Sequence, residues 1–300
     1  MSRIQDILSK AQRDGNVRHT TGDDRRPDPQ PLLAPGLAPA PAAPRRIEHR
    51  PTRELHPLPE RLRSVVSSGF DPMLVAAVAS HALAAEQYRT LRTRLVVLEE
   101  GRARRVLLVT SPAKGDGKSI TAANLALTMA QEFNRKVVLV DADLRRPTLH
   151  TLLGIPQQPG LVDVLGGDAA LQDALVELPD VHLAVVPAGQ PPIQPAELLG
   201  STGMRRLLES LRSRFDRVIV DMPPVVPLAD VGVLAPQCDG VLLVVRAGVT
   251  PKPLIERALG TFDPERLLGV VLNESGAGEP EYGYSYEPGY ASPAAVAEHR

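Results

Sequence analysis

Short, unbroken runs of aliphatic residues recur along the second two thirds of the chain. Each run is bounded by polar, Gly or Pro residues, and this pattern is typical of a strand buried on both faces of a parallel sheet. The runs predict strands at residues 106–109, 137–140, 183–186, 218–220, 240–245 and 267–272.

Between these runs, apolar residues recur at helical spacing and predict helices at residues 76–98, 118–133, 196–199 and 253–259. Strand and helix segments that alternate at short intervals favour a mostly parallel sheet covered by helices on both faces. The sequence therefore predicts the α/β class.

Composition divides the 300 residues into four parts. Residues 1–14 carry apolar side chains at helical spacing and predict a short amphipathic helix. Residues 15–60 are rich in Pro, Ala and Arg and bury too little apolar surface to fold alone, which indicates a disordered linker. Residues 61–273 form the predicted folded domain. Residues 274–300, interrupted by Gly and Pro, are expected to be a flexible tail.

The tail contains most of the tyrosine in the protein. Four of the five tyrosines are there, and the residues around them are not apolar enough to pack them in a core. A sticky low-complexity segment is the alternative to a chemical role for these hydroxyl groups. The four residues are Tyr282, Tyr284, Tyr286 and Tyr290.

Overall composition excludes several classes of function. The net charge of −1 gives no support for nucleic acid as a partner, and the single cysteine, Cys238, follows the pattern of a packed thiol. The seven histidines lack the spacing of a zinc site. Since no segment reaches the roughly 20 apolar residues of a membrane-spanning helix, we expect a cytoplasmic protein; if it works at a membrane, another protein must hold it there.

The segment RVLLVTSPAKGDGKSIT, residues 105–121, predicts a strand, a glycine loop and a helix. Gly115 and Gly117 allow a tight turn whose N–H groups approach a ligand, and the following helix directs its N-terminus at the same point. Lys118 can neutralise phosphate oxygens, and the Ser119 hydroxyl suits Mg²⁺. Pro112 stands where the phosphate-loop pattern has its first Gly, and a glycine-rich turn without a ligand is the alternative. The predicted nucleotide-binding residues are Ala113, Lys114, Gly115, Asp116, Gly117, Lys118, Ser119 and Ile120.

Carboxylates follow two of the predicted strands at the edge where open parallel sheets bind ligands. Asp141 and Asp143 lie two residues apart at the end of the predicted strand 137–140, and we expect them to have different tasks, one facing the metal and phosphates and the other facing an acceptor. The alternative is a pair of exposed loop aspartates with Arg145 and Arg146 as partners. Asp221 ends the other strand and suits an Mg²⁺-bound water opposite Ser119.

The predicted helix 76–98 contains the sequence EQYRTLR. Spacings of three place Glu86, Arg89 and Arg92 on one side of that helix. An ion pair within the helix is one explanation of these charges, and contact with a neighbouring subunit is the other.

These motifs, taken together and in this order, resemble the bacterial tyrosine kinases of exopolysaccharide synthesis, in the variety without its own membrane span. Residues 111–119 match the family's Walker A region, VVLVDADLRRP its Walker A′ region, VIVDMPPV its Walker B region and EQYRTLR its E-x-x-R-x-x-R oligomerisation element. PAGQPPIQPAELL matches a further sequence signature of the family, located directly after the predicted strand 183–186. The tail tyrosines match the family's autophosphorylation segment. The resemblance runs from about residue 76 to residue 290.

The resemblance implies a P-loop NTPase of the deviant Walker A type that transfers phosphate from ATP to its own tail tyrosines in trans, with Mg²⁺ as cofactor. Lys118, Asp141 and Asp143 would be catalytic, with either aspartate as the base, and Ser119, Asp141 and Asp221 would lie on the metal side. Glu86, Arg89 and Arg92 would join subunits of a homo-oligomer such as a ring. A membrane-embedded polysaccharide chain-length regulator would be the activator.

One departure bears on the competing hypothesis, a positioning ATPase of the partitioning or septum-site type that hydrolyses ATP to water. Those related ATPases carry an extra lysine five residues before the phosphate-loop lysine, and Ala113 occupies that place here. Lys114, where the kinases more often have Pro, is one position away. The residue at 113 therefore favours the kinase.

Overall fold

The computed structural model describes residues 62–98, 104–132, 135–226 and 229–275. The predictions for the helix 1–14, for the linker 15–60 and for all four tail tyrosines fall outside these residues. No helix in the described ranges is both long and apolar enough to cross a bilayer.

The described residues form one eight-stranded sheet with the order β1-β4-β5-β3-β6-β2-β7-β8. Neighbouring strands are parallel except β4 and β5, which are antiparallel. The predicted α/β class with a mostly parallel sheet is thus confirmed. The strands are β1 (Arg63–Ser64), β2 (Val106–Thr110), β3 (Val137–Asp141), β4 (Val176–Leu178), β5 (Leu183–Val186), β6 (Arg217–Asp221), β7 (Gly240–Arg246) and β8 (Leu267–Asn273).

Helices cover both faces of this sheet and divide the core into two layers. Alternate residues of the central strands face each layer, as Leu107 and Leu108 of β2 show. The helices are α1 (Val75–Val78), α2 (Leu83–Val97), α3 (Lys118–Ala130), α4 (Leu149–Leu152), α5 (Leu161–Leu165), α6 (Leu171–Ala174), α7 (Pro195–Leu199), α8 (Thr202–Arg214), α9 (Asp230–Leu234) and α10 (Lys252–Leu259).

The prediction of one helix over residues 76–98 is wrong, because the chain breaks between α1 and α2. Gln131, just after α3, donates a hydrogen bond to the Ala76 carbonyl at 2.8 Å, an acceptor that a continuous helix would pair with the Ser80 N–H. Arg89 donates to the Ser80 carbonyl at 2.6 Å. Tertiary partners therefore replace the helical ladder at the break, and local periodicity carries no sign of them.

Helix α8 was not among the predicted elements, although its pattern is clear in retrospect. Met204, Leu207, Leu208 and Leu211 recur at helical spacing and are buried. Ser201 caps the helix by accepting a hydrogen bond from the Met204 N–H at 3.2 Å.

Candidate active site

The glycine loop between β2 and α3 has the conformation of a phosphate-binding turn. Gly115 and Gly117 have φ angles of 90° and 93°, in the left-handed region that favours glycine. Gly117 precedes the first turn of α3, and its carbonyl accepts a hydrogen bond from the Thr121 N–H at 2.9 Å. The loop therefore lies at the positive end of a thirteen-residue helix.

The Asp116 side chain stabilises this loop from within. It is 3% exposed, and its Oδ2 accepts a hydrogen bond from the Ala113 N–H at 2.8 Å. Lys114, by contrast, is exposed. Asp116 thus contributes to the predicted nucleotide site by holding the turn.

Lys118 begins α3 and lies among carboxylates at the carboxyl edge of the sheet. Its Nζ is 2.8 Å from Asp143 Oδ2 and 3.5 Å from Asp221 Oδ1, and it donates a hydrogen bond to Ser119 Oγ at 2.9 Å. Burial would lower the pKa of Lys118, but the charges of Asp221 and Asp143 outweigh it and raise this pKa. The Lys118 side chain is therefore positively charged at neutral pH, next to the glycine loop.

The two aspartates of the β3 edge have separate environments. Asp141 is fully buried, and its two carboxylate oxygens accept hydrogen bonds from the Asp143 and Leu149 N–H groups, each at 3.2 Å. Asp143 binds Lys118 with one oxygen and accepts a hydrogen bond from the Arg146 N–H at 3.1 Å with the other. Burial, followed by the charge of Asp221, raises the pKa of Asp141 well above its usual range.

The alternative interpretation of Asp141 and Asp143 as exposed loop residues is wrong. Asp143 is only 4% exposed. Arg145 pairs instead with the fully buried Asp230, through Nε at 2.6 Å and a second guanidinium nitrogen at 3.2 Å.

Asp221 ends β6 as a buried carboxylate without hydrogen-bonded partners. Neither of its oxygens has a donor in hydrogen-bonding geometry among the described residues, and the Lys118 ammonium at 3.5 Å is its ion-pair partner. Burial raises the pKa of Asp221 to about 6, although Lys118 and the nearby Ser119 hydroxyl favour the ionised form. Burial of such a carboxylate costs free energy, and a ligand that pairs with its oxygens would offset that cost.

A divalent cation fits this place. The described residues contain no group of three or more His, Cys, Asp or Glu side chains that could hold a metal ion. Mg²⁺, however, is usually bound by one or two carboxylates together with substrate phosphates and water. The unpartnered oxygens of Asp221 and the Ser119 hydroxyl are ligands of that kind, whereas both oxygens of Asp141 are already engaged.

Comparisons with known proteins agree with this geometry. Residues 105–250 match the model of a family described as an AAA domain. Tyrosine-protein kinase YwqD of Bacillus subtilis is 37% identical over 227 residues, which are 74% of this chain and 95% of that protein. The chain belongs to the bacterial tyrosine kinase family.

Other members of the family show the same likeness. Tyrosine-protein kinase CpsD of Streptococcus agalactiae is 32% identical over 66% of this chain and 86% of its own length. The kinase domain of Escherichia coli tyrosine kinase ETK superimposes with a TM-score of 0.63 at 30% identity, covering 70% of this chain and 84% of that one. The resemblance found from the motifs is confirmed, and the P-loop NTPase fold and protein-tyrosine kinase activity follow from it.

The E-x-x-R-x-x-R element of this kinase lies on α2, which packs against α3. Arg89 forms an ion pair with Glu86 on the same helix. Arg92 donates to the Thr128 carbonyl at 3.0 Å and lies 3.4 Å from Glu132. These contacts fasten α2 to the helix that starts at the nucleotide loop, and the assignment of the three residues to a subunit interface stays a prediction.

Sequence reasoning missed three residues that support the site of this kinase. Asp230 holds Arg145, Thr250 donates a hydrogen bond to Asp116 Oδ1 at 2.8 Å, and Asn273 donates one to the Asp116 carbonyl at 3.1 Å. Thr250 lies in the loop after β7 and Asn273 ends β8, so both lie at the carboxyl edge of the sheet. This position was the signal that could have identified them as candidate site residues.

Proposed function

We propose that this protein is an ATP-dependent autokinase that phosphorylates the tyrosine cluster of its own C-terminal tail. The observation that supports it most directly is the Lys118 ammonium, placed between Asp143 and Asp221 at the N-terminus of α3. In phosphoryl transfer the protein mainly aligns the two oxygens and neutralises charge, and this cluster suits both tasks.

In this proposal the γ-phosphoryl group lies against the loop N–H groups and Lys118. Lys118 exchanges its Asp143 partner for phosphate oxygens and keeps the transferred group in place. Mg²⁺, held by Ser119 and Asp221 with Asp141 behind them, would supply neutralisation of phosphate charge. The nucleotide contacts are assigned to residues 113–120.

The acceptor is a tyrosine hydroxyl with an ordinary pKa of about 10, so it gains from a carboxylate that accepts its proton. Asp143 is released when Lys118 turns to the phosphates, and it then has a free oxygen at the mouth of the site. Asp141 is more enclosed, but its raised pKa also suits a proton acceptor. Both are kept as candidate bases.

The test is incubation of the full-length chain with Mg-ATP, followed by mass-spectrometric mapping of phosphotyrosine. We expect phosphate on Tyr282, Tyr284, Tyr286 or Tyr290 and none on Tyr88, the one tyrosine outside the tail. Lys118→Met should remove the label, and replacement of the four tail tyrosines by Phe should do the same. Phosphate that persists in Lys118→Met, or that lies outside the tail, would contradict the assignment.

Transfer in trans needs a second experiment because a tail could in principle reach its own site. The Lys118→Met chain, with an intact tail, is mixed with a chain whose four tail tyrosines are Phe but whose site is intact. We expect label on the Lys118→Met chain, at a rate that rises with protein concentration. No label in the mixture would refute transfer between subunits.

We also propose that subunits meet through Glu86, Arg89 and Arg92 in a homo-oligomer. Each phosphate added to a tail brings about −1.5 to −2 charges, so modified tails repel one another and loosen the assembly. Light scattering before and after ATP treatment should show a fall in mass. A mass that is unchanged after full phosphorylation would count against this part.

The proposed role is regulation of exopolysaccharide synthesis or export at the inner face of the membrane. The proposed activator is a membrane-embedded polysaccharide chain-length regulator whose cytoplasmic end completes the nucleotide site. Rapid ATP hydrolysis with an unmodified tail, even with the activator present, would instead favour the positioning ATPase.

A further inference from the structure

A cluster of side chains outside the catalytic group joins the nucleotide loop to the ends of the two strands at one edge of the sheet. Thr250, in the loop after β7, donates a hydrogen bond to Asp116 Oδ1 at 2.8 Å and accepts one from the Arg246 N–H at 3.0 Å. Asn273, the last residue of β8, donates to the Asp116 carbonyl at 3.1 Å. We call Thr250, Asn273 and Asp116 the latch.

The latch touches the part of the loop that would hold phosphate. A Cβ atom placed on Gly117 would lie 2.1 Å from Nδ2 of Asn273, so the amide group lies directly against the backbone of the loop. The N–H groups of such a loop point toward the ligand. The Asp116 carbonyl points away from the ligand side and accepts the hydrogen bond from Asn273. The latch therefore sets the orientation of the peptide bond between Asp116 and Gly117.

The latch adjoins the start of the predicted C-terminal tail, because Arg246, whose N–H donates to Thr250, also binds Glu274. Glu274, which follows Asn273, has a φ angle of 51°, an uncommon conformation for a residue with a side chain. Its carboxylate Oε2 accepts a hydrogen bond from Arg246 Nε at 2.6 Å. Glu274 and Ser275, the last described residues, therefore follow directly after a residue that is hydrogen-bonded to the nucleotide loop.

We propose that the latch couples occupancy of the nucleotide loop to the position of the tail root, residues 270–275. This inference rests on the proposed function, in that a nucleotide binds at residues 113–120 and the acceptor tyrosines follow the root. Phosphates order the loop and strengthen its hydrogen bonds to Thr250 and Asn273, which holds the root in place. By reciprocity, displacement of the root weakens nucleotide binding by the same factor, so a tail pulled into a neighbouring site promotes release of spent nucleotide.

The size of the coupling follows from the contacts. One net hydrogen bond in a partly buried place corresponds to about a threefold to tenfold change in affinity. We therefore expect either latch variant, Asn273→Leu or Thr250→Val, to weaken Mg-ADP binding by about that factor. Both substitutions keep the size of the side chain and remove its hydrogen bonds to the loop.

The experiment measures amide hydrogen exchange of residues 270–275 in the full-length chain, with and without saturating Mg-ADP, and Mg-ADP affinity by calorimetry. In the unaltered chain Mg-ADP should slow exchange at the root. In Asn273→Leu and Thr250→Val that protection should be lost. The matched control is Thr261→Val, because Thr261 is exposed and its hydroxyl donates only to the Arg257 carbonyl of α10. It should leave affinity and protection unchanged.

Equal protection of the root in Asn273→Leu and in the unaltered chain would overturn the inference, and so would binding of Mg-ADP without any protection. If Asn273→Leu fails to fold, Thr250→Val provides the same test. Absence of Mg-ADP binding to the unaltered chain would overturn both this inference and the proposed function. Protection by Mg-ADP in a chain whose tail is never phosphorylated would support the latch and refute the autokinase.

Discussion

Replacement of Asp221 by Asn should stabilise the ligand-free protein while it removes the response to Mg²⁺. Asp221 is fully buried, its oxygens lack hydrogen-bond donors among the described residues, and burial raises its pKa from 3.8 to about 6. A shift of that size corresponds to about 3 kcal/mol against the ionised form at neutral pH. The substitution also removes one ion-pair partner of Lys118, and this loss offsets part of the benefit. We therefore expect the free energy of unfolding to rise by about 1–2 kcal/mol.

The sign of the pH dependence follows from the same shift. Between pH 3.8 and about 6 the folded protein binds more protons at Asp221 than the unfolded chain does. The stability contributed by the protonated carboxyl is therefore complete below about pH 4 and is lost as the pH rises through 6. Asp221→Asn should remove this part of the slope.

The assay is urea unfolding in EDTA across pH 4 to 7.5, followed by far-UV circular dichroism because the protein has no tryptophan. Asp141→Asn is the matched control. Both Asp141 oxygens accept hydrogen bonds from backbone N–H groups, so the NH₂ group of an Asn side chain would face one of these donors. We therefore expect less stabilisation from this substitution. Added Mg-ADP should stabilise the unaltered chain more than Asp221→Asn. A variant that is destabilised at pH 7, or whose slope between pH 4 and 6 is as steep as that of the unaltered chain, would refute the reasoning.

Three further predictions concern stability and reactivity. Arg145→Ala leaves Asp230 buried without its cation, and because the Arg145 side chain is 39% exposed we expect a loss of about 2–3 kcal/mol in urea unfolding, against little change for the exposed neighbour in Arg146→Ala. Burial raises the pKa of Cys238 to about 12, so thiol reagents should modify it slowly in the folded protein and rapidly in denaturant; rapid labelling of the folded form would contradict this. Gly115→Ala meets no atom within 4 Å but places a side chain at φ 90°, and a loss of about 1–2 kcal/mol should accompany weaker nucleotide binding; unchanged affinity would show that the turn tolerates a Cβ.

The parts of the fold that the sequence predicted are those specified by local pattern. The strands β2, β3, β5, β6, β7 and β8 are continuous aliphatic runs, and the glycine loop between β2 and α3 carries its own turn residues. Each of these signals depends only on neighbours in the chain. The predicted position of Asp141 and Asp221 at the edge of the sheet followed from the same runs, because parallel strands end together.

The parts that escaped prediction depend on partners far away in the sequence. At the break before α2, Gln131 donates to the Ala76 carbonyl across 55 residues, and Arg145 pairs with Asp230 across 85 residues. The latch joins Asp116 to Thr250 and Asn273 across 134 and 157 residues. Hydrogen bonds of this kind leave no period in the sequence, so only the assembled sheet shows them. The tiny strand β1 and the short antiparallel β4 are likewise defined by pairing and lack a hydrophobic run of their own.

The charges of the site also explain why nucleotide and metal should bind together. Lys118 is surrounded by three carboxylates, two of which contact it directly, while Asp141 acts through its charge. Since these carboxylates outnumber the ammonium, the ligand-free pocket carries excess negative charge when they are ionised, and the phosphates of a nucleotide would add to it. A divalent cation beside Asp221 would cancel that excess, and Lys118 could then leave Asp143 for the phosphates. Asp221, a buried carboxylate without hydrogen-bond donors among the described residues, is thus both a cost to the stability of the protein and a suitable ligand for the cation that phosphoryl transfer needs.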